Sequence, residues 1–192
     1  MDELKDLLSI LNENSDEKKI KSTFESIADI LLFRSHIKTA IGDYRILEIE
    51  FYFKNQMHKD EVTIGRDEQP GMWWLHDWGV DFTFKSDNVE KKYGGGILIR
   101  SVVSLDEEKE TVICGPQKCT WHLFYASALT AGMAPCIEMN NDGDVYPGEM
   151  TKTKRYISGK TKKIDGYYRF YVEGVENLKI DKNYKASPWK VK

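Results

Sequence analysis

Glu48 and Glu50 stand two residues apart in Tyr44–Phe53 (YRILEIEFYF). The alternation of this run puts Leu47, Ile49, Phe51 and Phe53 on one face of a strand and Ile46, Glu48, Glu50 and Tyr52 on the other. Two carboxylates and a phenol on one face form either the solvated side of an edge strand or one wall of a polar pocket. His58, at the start of the polar loop that follows, adds an imidazole near the same mouth. A carboxylate beside a tyrosine and a histidine is a setting for general-base chemistry. Arg100 is the one cation among Ile97, Leu98, Ile99 and Val102. An arginine so placed pairs with a carboxylate or aims at an anion.

Three of the five tryptophans fall in Met72–Gly79 (MWWLHDWG). Two are expected in the core. The third, on a Gly-flanked turn, is either buried against Phe82 or Phe84 or exposed, where an indole stacks on or wedges between bases. Metal chemistry is not expected. His58, Asp60, His76 and Asp77 match no zinc spacing, and Cys114-x4-Cys119 has no second pair. Gly94–Gly96 lacks a following Lys-Ser/Thr, so it reads as a tight turn into a strand rather than a phosphate loop.

The elements that must carry these residues begin with helix. Leu4, Leu7, Leu8 and Leu11 recur at helical spacing in a short appendage, residues 1–15, and Ile20, Phe24, Ile27, Ile30 and Leu31 do so in Asp16–Phe33. Ser15 or Asp16 is the expected N-cap between them. Strands are expected at Ile37–Thr39, Tyr44–Phe53, Val80–Lys85, Gly96–Leu105, Thr111–Cys114 and Tyr167–Val172, with residues 54–71 a long loop, Asp106–Glu110 a turn and Gln117–Leu129 a helix. The pattern is α+β: one domain, residues 16–192, with a curved, mostly antiparallel sheet and a helical N-terminus.

The 192 residues suffice for one domain with a sizeable core. No apolar run is long enough to span a membrane, and the acidic N-terminal stretch is unlike a signal peptide. Three cysteines are too few for a disulfide framework, and a cytoplasmic location is expected. The net charge of −3 hides an asymmetry: residues 150–192 carry 12 Lys/Arg against 4 Asp/Glu, on an otherwise acidic chain. The cluster Lys152, Lys154, Arg155, Lys160, Lys162 and Lys163 is either a solvated face or a contact for a polyanion.

In order along the chain stand RILEIEFY (Arg45–Tyr52), His58, WWLHDWG (Trp73–Gly79), LIR (Leu98–Arg100), GPQK (Gly115–Lys118) and RFYV (Arg169–Val172). This series resembles, at a distance, the alkyladenine (3-methyladenine) DNA glycosylase family, over about residues 24–175. The resemblance implies that family's single α+β domain and its monofunctional excision of alkylated purines from double-stranded DNA by base flipping. It assigns Glu50 to activation of the hydrolytic water, with Arg100 near that water. Tyr52 is assigned to stacking on the flipped base, His58 to a hydrogen bond beside it, and Trp78 to intercalation. Leu75, with Trp74 adjacent, stands where the family's hairpin has its second pocket aromatic. The phosphate contacts fall to the basic cluster. No cofactor and no membrane partner are expected, and the chain is expected to act as a monomer. The alternative is a non-catalytic protein of the same fold that binds a nucleobase, nucleotide or other small ligand.

Overall fold

Asp16 closes the N-terminus of a helix by accepting the backbone N–H of Lys19 on its carboxylate, at 2.7 Å. This helix, α2 (Glu17–Asp29), follows a shorter one, α1 (Asp2–Ser9), and widens into a π-helical turn at Ile30–Arg34. The computed structural model describes residues 2–87, 92–106, 111–125, 133–141, 143–155, 157, 166–175, 179–180 and 188–189. Lys160, Lys162 and Lys163 lie outside the described residues, as do most of the turn expected at Asp106–Glu110 and the end of the helix expected at Gln117–Leu129.

The strands are β1 (Ser35–Thr39), β2 (Gly42–Lys54), β3 (Trp73–His76), β4 (Gly79–Thr83), β5 (Gly94–Ser104), β6 (Thr111–Cys114), β7 (Cys136–Met139), β8 (Glu149–Thr153), β9 (Arg169–Glu173) and β10 (Lys179–Ile180). A short helix, α3 (Pro116–Thr120), continues as a π-turn through Trp121–Tyr125. All ten strands join one sheet, along the order β10-β6-β5-β2-β1-β7, with β3-β4 attached to β5 and β8-β9 attached to β2. Every pairing is antiparallel except β10 with β6. The fold is α+β, and the sheet curls into a half-barrel.

The long pair β2-β5 is the axis of this sheet. Its register slips at Ile46/Glu48 and again at Glu48/Ile49, so Leu47 on β2 and Arg100 on β5 are each skipped by the ladder. Bulges of this kind bend a strand and re-aim side chains beside a site. Gly94–Gly96 belong to β5 and are not a turn before it. A Cβ on Gly95 would collide with the Tyr52 carbonyl oxygen, so the close approach of the two strands requires glycine there.

One face of β2 packs on the helices. Phe51 stacks on Phe24 of α2 with ring centroids 4.3 Å apart, and Phe84, Tyr168 and Phe170 close around that pair. The first helix shares this core. Leu4, Leu8 and Leu11 are all buried, Lys85 donates its backbone N–H to the Leu8 carbonyl, and Asn55 donates to the carbonyls of Asn12 and Ser15. It is therefore part of the domain rather than an appendage. No helix among the described residues is long and apolar enough to cross a membrane. Replacing Leu8 by Ala is expected to cost about 2–5 kcal/mol of stability, as for other fully buried leucines. Chemical denaturation checks this, and a loss near zero would show that α1 is dispensable.

Candidate functional site

The other face of the sheet carries the polar residues. Glu50, Leu98, Asp81 and Trp74 are successive register partners across β2, β5, β4 and β3. Tyr52, Gly96 and Thr83 form the adjacent row. Side chains directly opposite on one face are neighbours, so strand pairing alone brings these sequence-distant groups together. Leu98, Asp81, Trp74 and Tyr52 of these rows line a cleft of about 690 Å³, roofed by α3 through Pro116, Gln117 and Lys118.

Glu48 and Glu50 are both buried at 0% exposure. Arg100 bridges them, donating from Nε to Glu48 Oε1 at 3.1 Å and from Nη1 to Glu50 Oε2 at 3.0 Å. Glu48 also accepts from Arg169 Nε at 2.6 Å and from the Ser101 hydroxyl at 2.6 Å. The two carboxylates thus sit in a buried four-charge cluster with two arginines. Tyr52 donates its phenol proton to Glu50 Oε2 at 2.7 Å. Burial first, and the neighbouring carboxylate second, hold that phenol well above its ordinary range, so it remains a donor. Tyr52 and Arg100 line the cleft, with Glu50 directly behind them.

Trp78 lies in the Asp77–Trp78 turn between β3 and β4, 63% exposed at the mouth of the cleft. The indole on Phe82 is that of Trp73, at 5.0 Å, which leaves Trp78 free of the core. Gln117 ties the hairpin tip to α3 by donating to the Asp77 carbonyl at 2.7 Å. Leu75 is also exposed, whereas Trp74 lines the cleft.

Two of the residues singled out in the sequence lie elsewhere. His58 does not reach the cleft: it is buried, its ring packs 5.6 Å from that of Tyr168, and burial lowers its proton affinity. The short turn Asn55–His58 holds it there, because Asn55 Oδ1 accepts the His58 backbone N–H at 2.6 Å. Arg155 is not a surface cation available to phosphate. It is buried and donates to both oxygens of Asp60, at 2.6 and 3.1 Å, with its guanidinium 4.7 Å from the centroid of the Tyr52 ring. Its work is to back Tyr52. Lys152 is exposed but paired with Glu25 of α2, and Lys154 is exposed. The cations of the cleft are instead Arg66, Arg100 and Lys118.

The wall opposite Tyr52 was not anticipated. Arg66 stacks its guanidinium 3.9 Å from the centroid of Trp74 and places Nη1 2.8 Å from Asp81 Oδ2, while His76 Nε2 lies 3.3 Å from Asp81 Oδ1. The available signal was an Asp between Val80 and Phe82 in an otherwise apolar strand, because such a carboxylate needs a partner. Nothing local in the sequence points to Arg66. Among the described residues, no group of three or more His, Cys, Asp or Glu side chains is arranged to hold a metal ion.

No protein-family model and no curated protein matches the chain.

The Arg155–Asp60 pair makes a sharp expectation. Removing one partner of a buried ion pair strands the other charge, so Asp60→Ala is expected to lose about 3–5 kcal/mol of stability. Thermal unfolding checks it. A change below 1 kcal/mol, roughly the worth of an exposed pair, would return Arg155 to the surface cations.

Proposed function

We propose that the cleft receives a purine flipped out of double-stranded DNA and that the chain is an N-glycosylase of the alkyladenine glycosylase type, hydrolysing the bond between an alkylated base and its sugar. One observation carries this reading. Tyr52, Arg100 and Trp78, named from a sequence resemblance and up to 48 positions apart in the chain, line a single cleft with Glu50 immediately behind it.

The residues divide the work by position. Tyr52, stiffened from behind by Arg155, offers an aromatic wall, and a ring of this kind attracts the electron-poor face of a cationic alkylated purine. Trp78, on a hairpin tip and largely in solvent, fills the gap that the base leaves in the stack. Glu50 accepts the proton of the attacking water, and Arg100 holds the carboxylate in place. For water to reach Glu50, the Tyr52–Glu50 hydrogen bond must open as substrate enters. No lysine stands at the nucleophile's position, so strand cleavage through a Schiff base is not part of the scheme.

A second reading has its own observation. Glu50 is fully enclosed and already accepts from Tyr52 and Arg100, an arrangement suited to a rigid floor for a bound base without hydrolysis. Incubation with methylated duplex DNA separates the two. Release of free base by the wild type, with Glu50→Gln slower by roughly 10²–10⁴-fold, is the result expected for a general base. Binding of the duplex or of free base without release would select the second reading, and no binding of either would reject both.

Trp78→Ala is expected to weaken binding to abasic duplex by roughly 5- to 150-fold, the worth of one aromatic–base stack. Its melting temperature should stay within a degree or two of the wild type, because the side chain already stands in solvent. A large fall in melting temperature with unchanged affinity would remove the wedge role.

A further inference from the structure

Trp78 stands at a turn that its own residues do little to define. His76 and Gly79 are the last register pair of the β3-β4 hairpin, so Asp77 and Trp78 form a two-residue loop. Loops of that length favour Asn-Gly, Asp-Gly or a leading glycine, and tryptophan is not among them. The tip must therefore be held by what surrounds it. Gln117 donates to the Asp77 carbonyl, and Gly79 lets the strand lie close, since a Cβ there would come within 2.8 Å of Pro116 and 2.9 Å of Leu98. Neither contact touches the Trp78 side chain.

His76 meets Trp78 in two ways. Its Nδ1 accepts the Trp78 backbone N–H at 3.3 Å, and its ring neighbours both indoles, with centroids 4.9 Å from Trp74 and 5.9 Å from Trp78. A ring nitrogen that accepts carries no proton, so the imidazole proton sits on Nε2. Nε2 lies 3.3 Å from Asp81 Oδ1, and neither atom has a hydrogen-bond partner elsewhere among the described residues. Asp81 is held in turn through Oδ2, 2.8 Å from Arg66 Nη1, and the Arg66 guanidinium lies 3.9 Å from the Trp74 ring centroid. Both Asp81 oxygens are committed within this chain, which leaves a fixed acceptor for the imidazole. The side chains of Arg66 and Asp81 are 4% exposed and that of His76 is 12% exposed, whereas Trp78 stands in solvent. A buried, charged anchor thus leads step by step from the cleft wall to an exposed tip.

We propose that His76 positions the Trp78 wedge: clamped by Arg66 through Asp81, it fixes the hairpin tip in the conformation that presents the indole to the duplex. The inference rests on the DNA reading given above and adds a residue that acts through Trp78 rather than on the base. Its physical logic is entropic. A side chain that enters a base stack gives up rotamer and loop freedom, and a tip that is already ordered gives up less. Anchoring Trp78 therefore raises duplex affinity without adding a contact.

Two substitutions separate the anchor from the wall. The amide oxygen of asparagine falls where His76 holds Nδ1, and asparagine readily accepts an N–H two positions on. His76→Asn is therefore expected to keep the bond to Trp78. The longer glutamine reaches instead toward Asp81, where Nε2 stood, and His76→Gln is expected to lose that bond.

Amide hydrogen exchange on the full chain, without DNA, reads the bond directly. The Trp78 N–H should be protected in the wild type and in His76→Asn, and should exchange roughly 2- to 12-fold faster in His76→Gln, the worth of one hydrogen bond. Affinity for abasic duplex should follow, close to wild type in His76→Asn and weaker by a similar 2- to 12-fold, roughly, in His76→Gln. In a Trp78→Ala background, His76→Gln should change affinity by less than about twofold, because a positioning residue acts only through what it positions. A merely structural His76 would weaken both backgrounds alike.

An unprotected Trp78 amide in the wild type, equal losses in His76→Asn and His76→Gln, or a His76→Gln loss that persists without the Trp78 indole would each overturn the inference. Should His76→Gln fail to fold, the wild-type amide and the His76→Asn affinity decide, and loss of either overturns it. A wild type that binds no duplex, whatever the state of its Trp78 amide, removes the DNA reading and the wedge together. Failure of the double-mutant comparison with duplex binding intact removes only the role of His76.

Discussion

Two carboxylates two residues apart on a buried strand face repel each other and lose their hydration together. Neither could be enclosed in this fold without compensation. Arg100 supplies the first share by bridging Glu48 and Glu50, and Arg169 supplies the second at Glu48. The remainder of the sheet face depends on that neutralisation. With the four charges balanced, β9 docks beside β2, Tyr52 finds a fixed acceptor, and the floor of the cleft becomes rigid. Removing either arginine would leave a buried carboxylate short of a partner, a larger penalty than any surface ion pair repays.

The same sheet meets two different demands on its two faces. Phe51, Phe53 and Ile97 face the helices and make the fold stable, whereas Glu50, Tyr52 and Asp81 face the cleft and are held by directed bonds. A strand buried on both sides cannot show the simple alternation of apolar and solvated residues. What alternates along β2 is dispersion against hydrogen bonding. The paired slips at Leu47 and Arg100 fit this arrangement, since they turn a cation out of a regular ladder and toward the acids.

How much of this was legible depends on how far apart the partners lie. The period-two pattern of Tyr44–Phe53 and the helical spacing of Leu4 to Leu31 are local signals, and both elements formed where those signals placed them. Tyr52, Arg100 and Trp78 share a cleft, with Glu50 behind it, because the β2-β5, β4-β5 and β3-β4 pairings bring distant segments side by side. The strand Cys136–Met139 was missed because it is short and lies beside a polar loop, and Glu149–Thr153 because its lysines and threonines read as a solvated segment. Arg155 was misjudged for the same reason: a basic run says nothing of an Asp 95 positions upstream that claims one of its members. The Arg66–Asp81–His76 wall required the β3-β4-β5 register and a loop closure, neither of which is written in any one window.

The separation of Glu48 from Arg169, 121 positions, also bears on how the chain matures as it is made. A ribosome releases β2 and β5 well before β9, so the emerging chain holds both acids and only Arg100 to counter them. Closing so long a loop is entropically costly, and its reward arrives only when the last strands are free to pair. Until β9 pairs with β2, the acid pair has Arg100 but not Arg169 to offset it, so its full neutralisation depends on a strand made late. An acid pair whose second arginine lies on β9 makes that strand a condition for its full compensation.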